Sequence, residues 1–121
     1  MKFLQLGRMK IIKDKITIEE LKKMAQGRFG DFVKAVVDIE REIMVIDAEM
    51  HADEENLLLE QGSNQENLWG INLYPELEIE EFVEFDSMIN LRPSFGNKTR
   101  SVDDKNIQEK IITIINKLVE R

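Results

Sequence analysis

The chain contains no cysteine. That excludes a disulfide framework, a thiolate metal site and a cysteine nucleophile, and it suits a reducing compartment, so the cytoplasm is the expected location. Histidine occurs once, at His51. Zinc patterns that need two histidines are therefore absent, and a catalytic pair has one imidazole to draw on. No run approaches the ~20 apolar residues that span a bilayer, and Met1–Leu6 lacks the apolar length and cleavage site of a secretory signal, so no membrane partner is expected. Also missing are a Gly-x-Ser-x-Gly elbow, a dinucleotide fingerprint, an EF-hand loop and a His-Glu-x-x-His pair.

Positive charge is scarce in one region only. Residues 35–90 hold a single cation, Arg41, against sixteen carboxylates, which puts that segment near −15 within a chain of net charge −7. Residues 1–34 carry nine Lys/Arg against four Asp/Glu, and residues 91–121 carry seven against four. Such an acidic middle repels a phosphate backbone, so nucleic acid is not an expected partner, and the basic ends are expected to fold back beside the middle.

What is present is the composition of a folded chain. Its 121 residues are 42% hydrophobic and 34% charged, which fits one ordinary core. We read residues 1–8 as an extension or disordered lead-in and residues 9–121 as a single α+β domain. Lys10–Lys13 has the pattern of a short strand. Thr17 with Glu20 forms a capping box, after which Ile18, Leu21, Met24 and Ala25 repeat at helical spacing, with Gly27 or Gly30 as the left-handed stop. From Val33 the period becomes two: Val33, Ala35, Val37 and Ile39 form one face, and Met44, Ile46, Ala48 and Met50 form another after a turn at Arg41-Glu42. A continuous helix over 33–50 competes, but the Val and Ile content favours strands. Further strands are expected at Asn56–Glu60, Leu68–Tyr74 and Val83–Arg92. Ser101 and Asp103/Asp104 then cap a helix with the stripe Ile107, Ile111, Ile114, Ile115 and Leu118. The implied architecture is a four- or five-stranded antiparallel meander with an N-terminal and a C-terminal helix packed on one face. Phe85, Ile89, Leu91, Trp69, Ile71, Ile111, Ile115 and Leu118 are its expected core.

The alternation gathers polar groups on the face without helices: Asp38, Glu40, Asp47, Glu49, His51, Asn72, Tyr74, Glu84, Asp86, Asn90 and Arg92. A solvated or partner-covered face is the commoner outcome for an antiparallel sheet. A chemical outcome would use His51 as base or ligand, Glu49 and Asp86 as orienting or metal-binding carboxylates, and Arg92 to hold an anion. No cofactor is apparent; a divalent metal on Glu49, His51 and Asp86 is the one considered. Carboxylates around His51 are expected to raise it above about 6.5 unless burial opposes them. The loop from Arg92 to Ser101 offers Arg92, Asn97, Lys98 and Arg100 as anion-binding candidates ahead of a helix N-terminus, with a plain solvent loop as the alternative.

The stretches His51-Ala52-Asp53-Glu54-Glu55, Leu57-Leu58-Leu59-Glu60, Gly62-Ser63, Leu68 to Pro75, Glu84 to Pro93, and Gly96-Asn97 with Arg100 together resemble a small prokaryotic family known only as a domain of unknown function. The resemblance runs from Met9 to the C-terminus and implies no activity, cofactor or substrate. Members of that family often carry glycine in the first hairpin turn and a glycine pair in the second strand. Glu42 and Asp47-Ala48 stand there in this chain, a departure that argues against a tight glycine turn at 41–42. On the residues, the leading reading is a non-enzymatic binding or assembly domain that uses its polar, acidic sheet face, as a homodimer or with a protein partner. The alternative is a small metal-dependent hydrolase or other enzyme centred on His51 with Glu49, Asp86 and Arg92.

Overall fold

Thr17 starts the first helix with the reciprocal cap its sequence promises. Its Oγ1 accepts from the Glu20 N–H at 3.1 Å while the Glu20 carboxylate accepts from the Thr17 N–H at 3.3 Å, so two of the donors that a helix start leaves unpaired are satisfied. The computed structural model describes residues 8–121, so the expected lead-in lies outside the described residues except for Arg8. Helix α1 spans Ile18–Gln26 and buries Leu21 and Ala25. The left-handed stop falls at Gly30, with φ 100° and its N–H on the Ala25 carbonyl at 2.6 Å; Gly27 stays right-handed.

Strands β1 (Lys10–Ile12), β3 (Val33–Asp38), β4 (Ile43–Ile46), β5 (Leu68–Leu73) and β6 (Val83–Glu84) form one antiparallel sheet in the order β1-β4-β3-β5-β6. Strands β2 (Ile16–Thr17) and β7 (Val119–Glu120) pair in parallel beside it. Helices α2 (His51–Glu60) and α3 (Lys105–Leu118) complete the α+β fold. The expected antiparallel sheet with an N- and a C-terminal helix is present. Its strand order refines the meander: β3 is central, and β5 pairs with it on the side opposite β4.

Side-chain alternation divides the interior in two. Val33, Ala35, Val37, Met44, Ile46, Trp69, Ile71 and Leu73 meet Leu21 and Ala25 of α1 and Ile111, Ile114, Ile115 and Leu118 of α3. Val36, Ile43, Val45 and Leu68, on the opposite face, are covered by Leu58 of α2. The second face is thus not the open polar wall expected. Asn56–Glu60, expected as a strand, belongs to α2, because the run Leu57-Leu58-Leu59 has no period of its own and the apolar second face supplies the partner that Leu58 needs. Two other expected strands end early. The chain leaves β4 at Asp47, whose φ is 72°, and β6 stops at Glu84. Leu91 therefore falls outside the core and is 41% exposed, and Phe85 and Ile89 are partly buried, while the other five expected core residues are buried.

The departure from glycine in the first hairpin does not abolish its turn. Glu42 takes φ 58°, and its N–H reaches the Asp38 carbonyl at 2.9 Å. Asp38 is buried, and its carboxylate accepts from the N–H groups of Glu40 and Arg41 at 2.9 and 3.0 Å, which makes it a turn residue. The charge division also has its spatial counterpart. Arg28 meets Asp47 at 3.3 Å, Lys22 meets Glu76 at 3.8 Å, Arg100 meets Asp86 at 2.8 Å and Lys117 meets Glu42 at 2.7 Å, each joining a basic flank to the acidic middle.

Candidate functional site

The second face is only partly covered. Where α2 begins, it leaves a cleft of about 430 Å³ over the end of β3, β5 and β6, a size within the range of small-molecule sites. Strand register builds its floor. Lys34 of β3 lies opposite Asn72 of β5, and Asn72 lies opposite Glu84 of β6, so a cation, an amide and a carboxylate form one row across the sheet. Met50 and His51 at the start of α2 form one wall, and Asp86, Ser87 and Met88, with Arg100, form the other.

The polar groups of the row constrain one another. Asn72 Nδ2 donates to Glu84 Oε1 at 2.9 Å and lies 3.3 Å from the Asp86 carbonyl. Both neighbours are acceptors, so the amide orientation follows from its partners. Its Oδ1 is then left buried without a hydrogen-bond partner. Tyr74 donates to the same Glu84 oxygen at 3.1 Å, and burial together with the adjacent carboxylate pushes the phenol up to about 12.

His51 does not behave as its acidic surroundings suggested. It is buried, and Nε2 lies 2.8 Å from the Ile71 carbonyl. A carbonyl only accepts, so neutral His51 carries its proton on Nε2. Burial pushes its pKa down to about 4, helped by the charge of Lys34 and opposed by the Ile71 carbonyl, by Asp86 and by the neighbouring side chain of Asn72. Desolvation of the imidazolium outweighs the carboxylates, and the expected upward shift is reversed. A histidine that is neutral near pH 7 with Nε2–H committed to a backbone carbonyl is a poor general base on that nitrogen.

Family comparison gives the chain a place at this point. Residues 10–118 match the family described as protein of unknown function (DUF5674). The chain belongs to that family. No curated protein and no solved structure matches it. The resemblance read from the motif stretches is thereby shown at family level.

Within this DUF5674 chain the sequence candidates are divided among three places. His51, Asp86 and Arg100 line the cleft, with Arg100 Nε donating to Asp86 Oδ1 at 2.8 Å. Glu49 is turned away from it, exposed and 3.4 Å from Arg28 Nη1. Arg92 lies elsewhere, its guanidinium 4.4 Å above the Trp69 ring and donating to the carbonyls of Gln65 and Leu68 at 2.6 and 2.9 Å. Glu49, His51 and Asp86 therefore do not form a ligand set, and among the described residues no group of three or more His, Cys, Asp or Glu side chains is placed to hold a metal. The pattern failed here because Asp47 turns the chain out of β4, so Glu49 and His51 never share a strand face.

The anion-binding loop also comes apart. Asn97 is buried; its Nδ2 sits within 3.1 Å of the carbonyls of Asn90, Thr99 and Ser101, and its Oδ1 accepts from the Asp103 N–H. The Lys98 N–H is taken by the Asp103 carboxylate at 2.7 Å. Asn97 is a loop staple, and Arg92, Lys98 and Arg100 face different neighbours. Sequence reasoning missed Lys34 as a site residue, although its alternation with Val33 and Ala35 placed it on the second face. Met50, Ser87 and Met88 had no signal, since their convergence depends on α2 and on the early end of β6.

A second buried ionisable group lies under α2. Glu54 is fully buried; its Oε2 accepts from the Ala48 N–H at 3.1 Å and its Oε1 has no partner. Burial raises its pKa well above the usual carboxylate range. It is not among the residues lining the cleft.

Proposed function

We propose that this chain is a non-enzymatic binding domain and that the cleft over Lys34, Asn72 and Glu84 is its binding site. The observation that carries the reading is the cleft itself, a concavity of about 430 Å³ whose floor sets Lys34, Asn72 and Glu84 in one cross-strand row. The proton on His51 Nε2 argues against acid–base chemistry at that nitrogen. The reading keeps the polar second face as the binding surface but narrows it to the part that α2 leaves uncovered. The cysteine-free chain suits the cytoplasm, where we place this role.

The test is an isotope-labelled sample titrated with defined classes of small molecule: amino acids, short peptides, dicarboxylates, polyols and nucleotides. At least one class is expected to move the backbone amide signals of Lys34, His51, Asn72, Ser87 and Arg100 saturably. If no class moves them, the cleft is not a small-ligand site.

A further inference from the structure

We infer that the ligand of this cleft is a small zwitterion with its two charges at opposite ends of an apolar body, its carboxylate at Lys34 and its ammonium at Glu84. The inference rests on the binding-domain reading and adds the ligand class. Its basis is which charges of the lining are already paired. Asp86 and Arg100 hold each other at 2.8 Å and so largely cancel, and His51, with a pKa near 4, carries no charge at neutral pH. Lys34 and Glu84 are what remains, one cation and one anion.

Neither has an ionic partner of its own. Among the described residues no carboxylate lies within ion-pair distance of Lys34, and no cation lies within that distance of Glu84. Lys34 is only partly exposed, and its Nζ lies over the Phe29 ring, 5.4 Å from the centroid, a contact that offsets part of the charge and locates the ammonium. Glu84 is held as well. Its Oε1 accepts from Asn72 Nδ2 at 2.9 Å and from the Tyr74 hydroxyl at 3.1 Å, while the residue stays exposed to solvent. Strand β5 separates the two charges, with Asn72 between them in the row.

Charge and polarity then select the ligand. A molecule with charge of one sign meets an opposite charge at one end of the cleft and a like charge at the other, whereas a zwitterion meets an opposite charge at each. The space between asks for no polar group. Asn72 spends its amide N–H groups on Glu84 and on the Asp86 carbonyl, and its Oδ1 is buried out of reach. Met50 and Met88, 57% and 62% exposed at the mouth, add apolar contact, and unbranched thioethers adapt to the chain they meet. A hydrocarbon spacer suits such a lining, while a spacer rich in polar groups would lose water contacts without gaining partners.

The probes are three amino acids with the amine at the far end of the chain, γ-aminobutyrate, δ-aminovalerate and ε-aminocaproate, each set against the plain carboxylate and the plain amine of the same chain length. Saturable shifts of the cleft amide signals measure binding. At least one of the three amino acids is expected to bind at least tenfold more tightly than both of its singly charged counterparts. In Lys34→Gln that amino acid and its matched amine should bind alike, and in Glu84→Gln the amino acid and its matched carboxylate should bind alike, each variant first checked for an unchanged thermal midpoint. Equal binding of the matched amine to the unaltered protein would show that the ligand carboxylate is not read, and equal binding of the matched carboxylate that the ammonium is not read; either overturns the inference without recourse to a variant. If none of the three amino acids binds while another class of small molecule moves the cleft amides, the zwitterion inference falls and the binding-domain reading stands; if nothing moves them, both fall.

Discussion

The side-chain amide of Asn90 pairs with both backbone groups of Gly70: Oδ1 accepts the Gly70 N–H at 2.8 Å, and Nδ2 donates to the Gly70 carbonyl at 2.9 Å. Continuing the β5–β6 register past Asn72–Glu84 would set Asp86 opposite Gly70. Asn90 stands in for that strand residue. Asp86 and Ser87 are thereby released from the ladder to form a wall of the cleft.

Asn90→Ala should therefore be costly. It leaves the Gly70 groups without their partner and also removes a 3.0 Å bond to the Arg100 carbonyl. With about 1–3 kcal/mol for each buried group left unpaired, and some relief from water, we expect a loss of about 2–4 kcal/mol. Urea denaturation measures it; a loss below about 1 kcal/mol would mean that the edge of β5 is satisfied in another way.

Gly70 permits a close approach. A Cβ there would lie 2.6 Å from Ser87 Cβ and Oγ and 3.2 Å from His51 Cδ2. Gly70→Ala should destabilise by at least the ~1–3 kcal/mol typical of overpacking. Ser87→Gly should recover part of that loss in the double variant and Ser87→Ala should not, because the serine Cβ is itself a clashing atom. A double-mutant cycle with no favourable coupling between Gly70→Ala and Ser87→Gly would refute the contact.

The pKa of His51 sets an acid limit. Its folded value near 4 lies below the ordinary 6.5, so the unfolded chain binds the extra proton between these values. The contribution of His51 is complete above pH 6.5 and is lost as pH falls toward 4, by roughly 3 kcal/mol in total. Ring-proton NMR should give a midpoint near 4 and the Nε2–H tautomer at neutrality. Titration near 6.5 or above would contradict the burial argument.

Glu54 acts with the opposite sign. Its pKa is raised by burial, so the folded state holds a proton that the unfolded chain releases above about 4.5. Its contribution is complete below that pH and declines as pH rises through the folded value. Denaturation of Glu54→Gln at a series of pH values should lack this decline. An unchanged slope would place another group behind it.

Glu42 holds a left-handed backbone, φ 58°, in the turn between β3 and β4. Such a conformation costs an L-residue about 1–2 kcal/mol, while glycine enters it freely but loses more chain entropy on folding. The Glu42–Lys117 pair is exposed at both partners, and solvent screens such a pair so that it contributes little. Glu42→Gly should raise stability by about 0.5–1 kcal/mol on balance. A lower thermal midpoint would show that the ion pair outweighs the backbone strain.

The sequence by itself determined the elements whose signals are local. The Thr17–Glu20 box, the stripe Ile111, Ile114, Ile115 and Leu118 behind the Asp104 cap, and the alternation over 33–38 and 43–46 each occur within one or two turns or pairs, and each folded as its pattern required. Tertiary structure decided the rest, and with it the cleft. Leu57-Leu58-Leu59 reads equally as strand or helix until the second sheet face supplies a partner for Leu58. Alternation carries Val83 onward to Leu91, but the amide of Asn90 takes the ladder position first. His51 has acidic neighbours in the sequence, yet its charge is governed by desolvation. Burial and cross-strand neighbours are properties of the packed chain, so Lys34, Asn72 and Glu84, separated by tens of residues, become a row only when register sets them side by side.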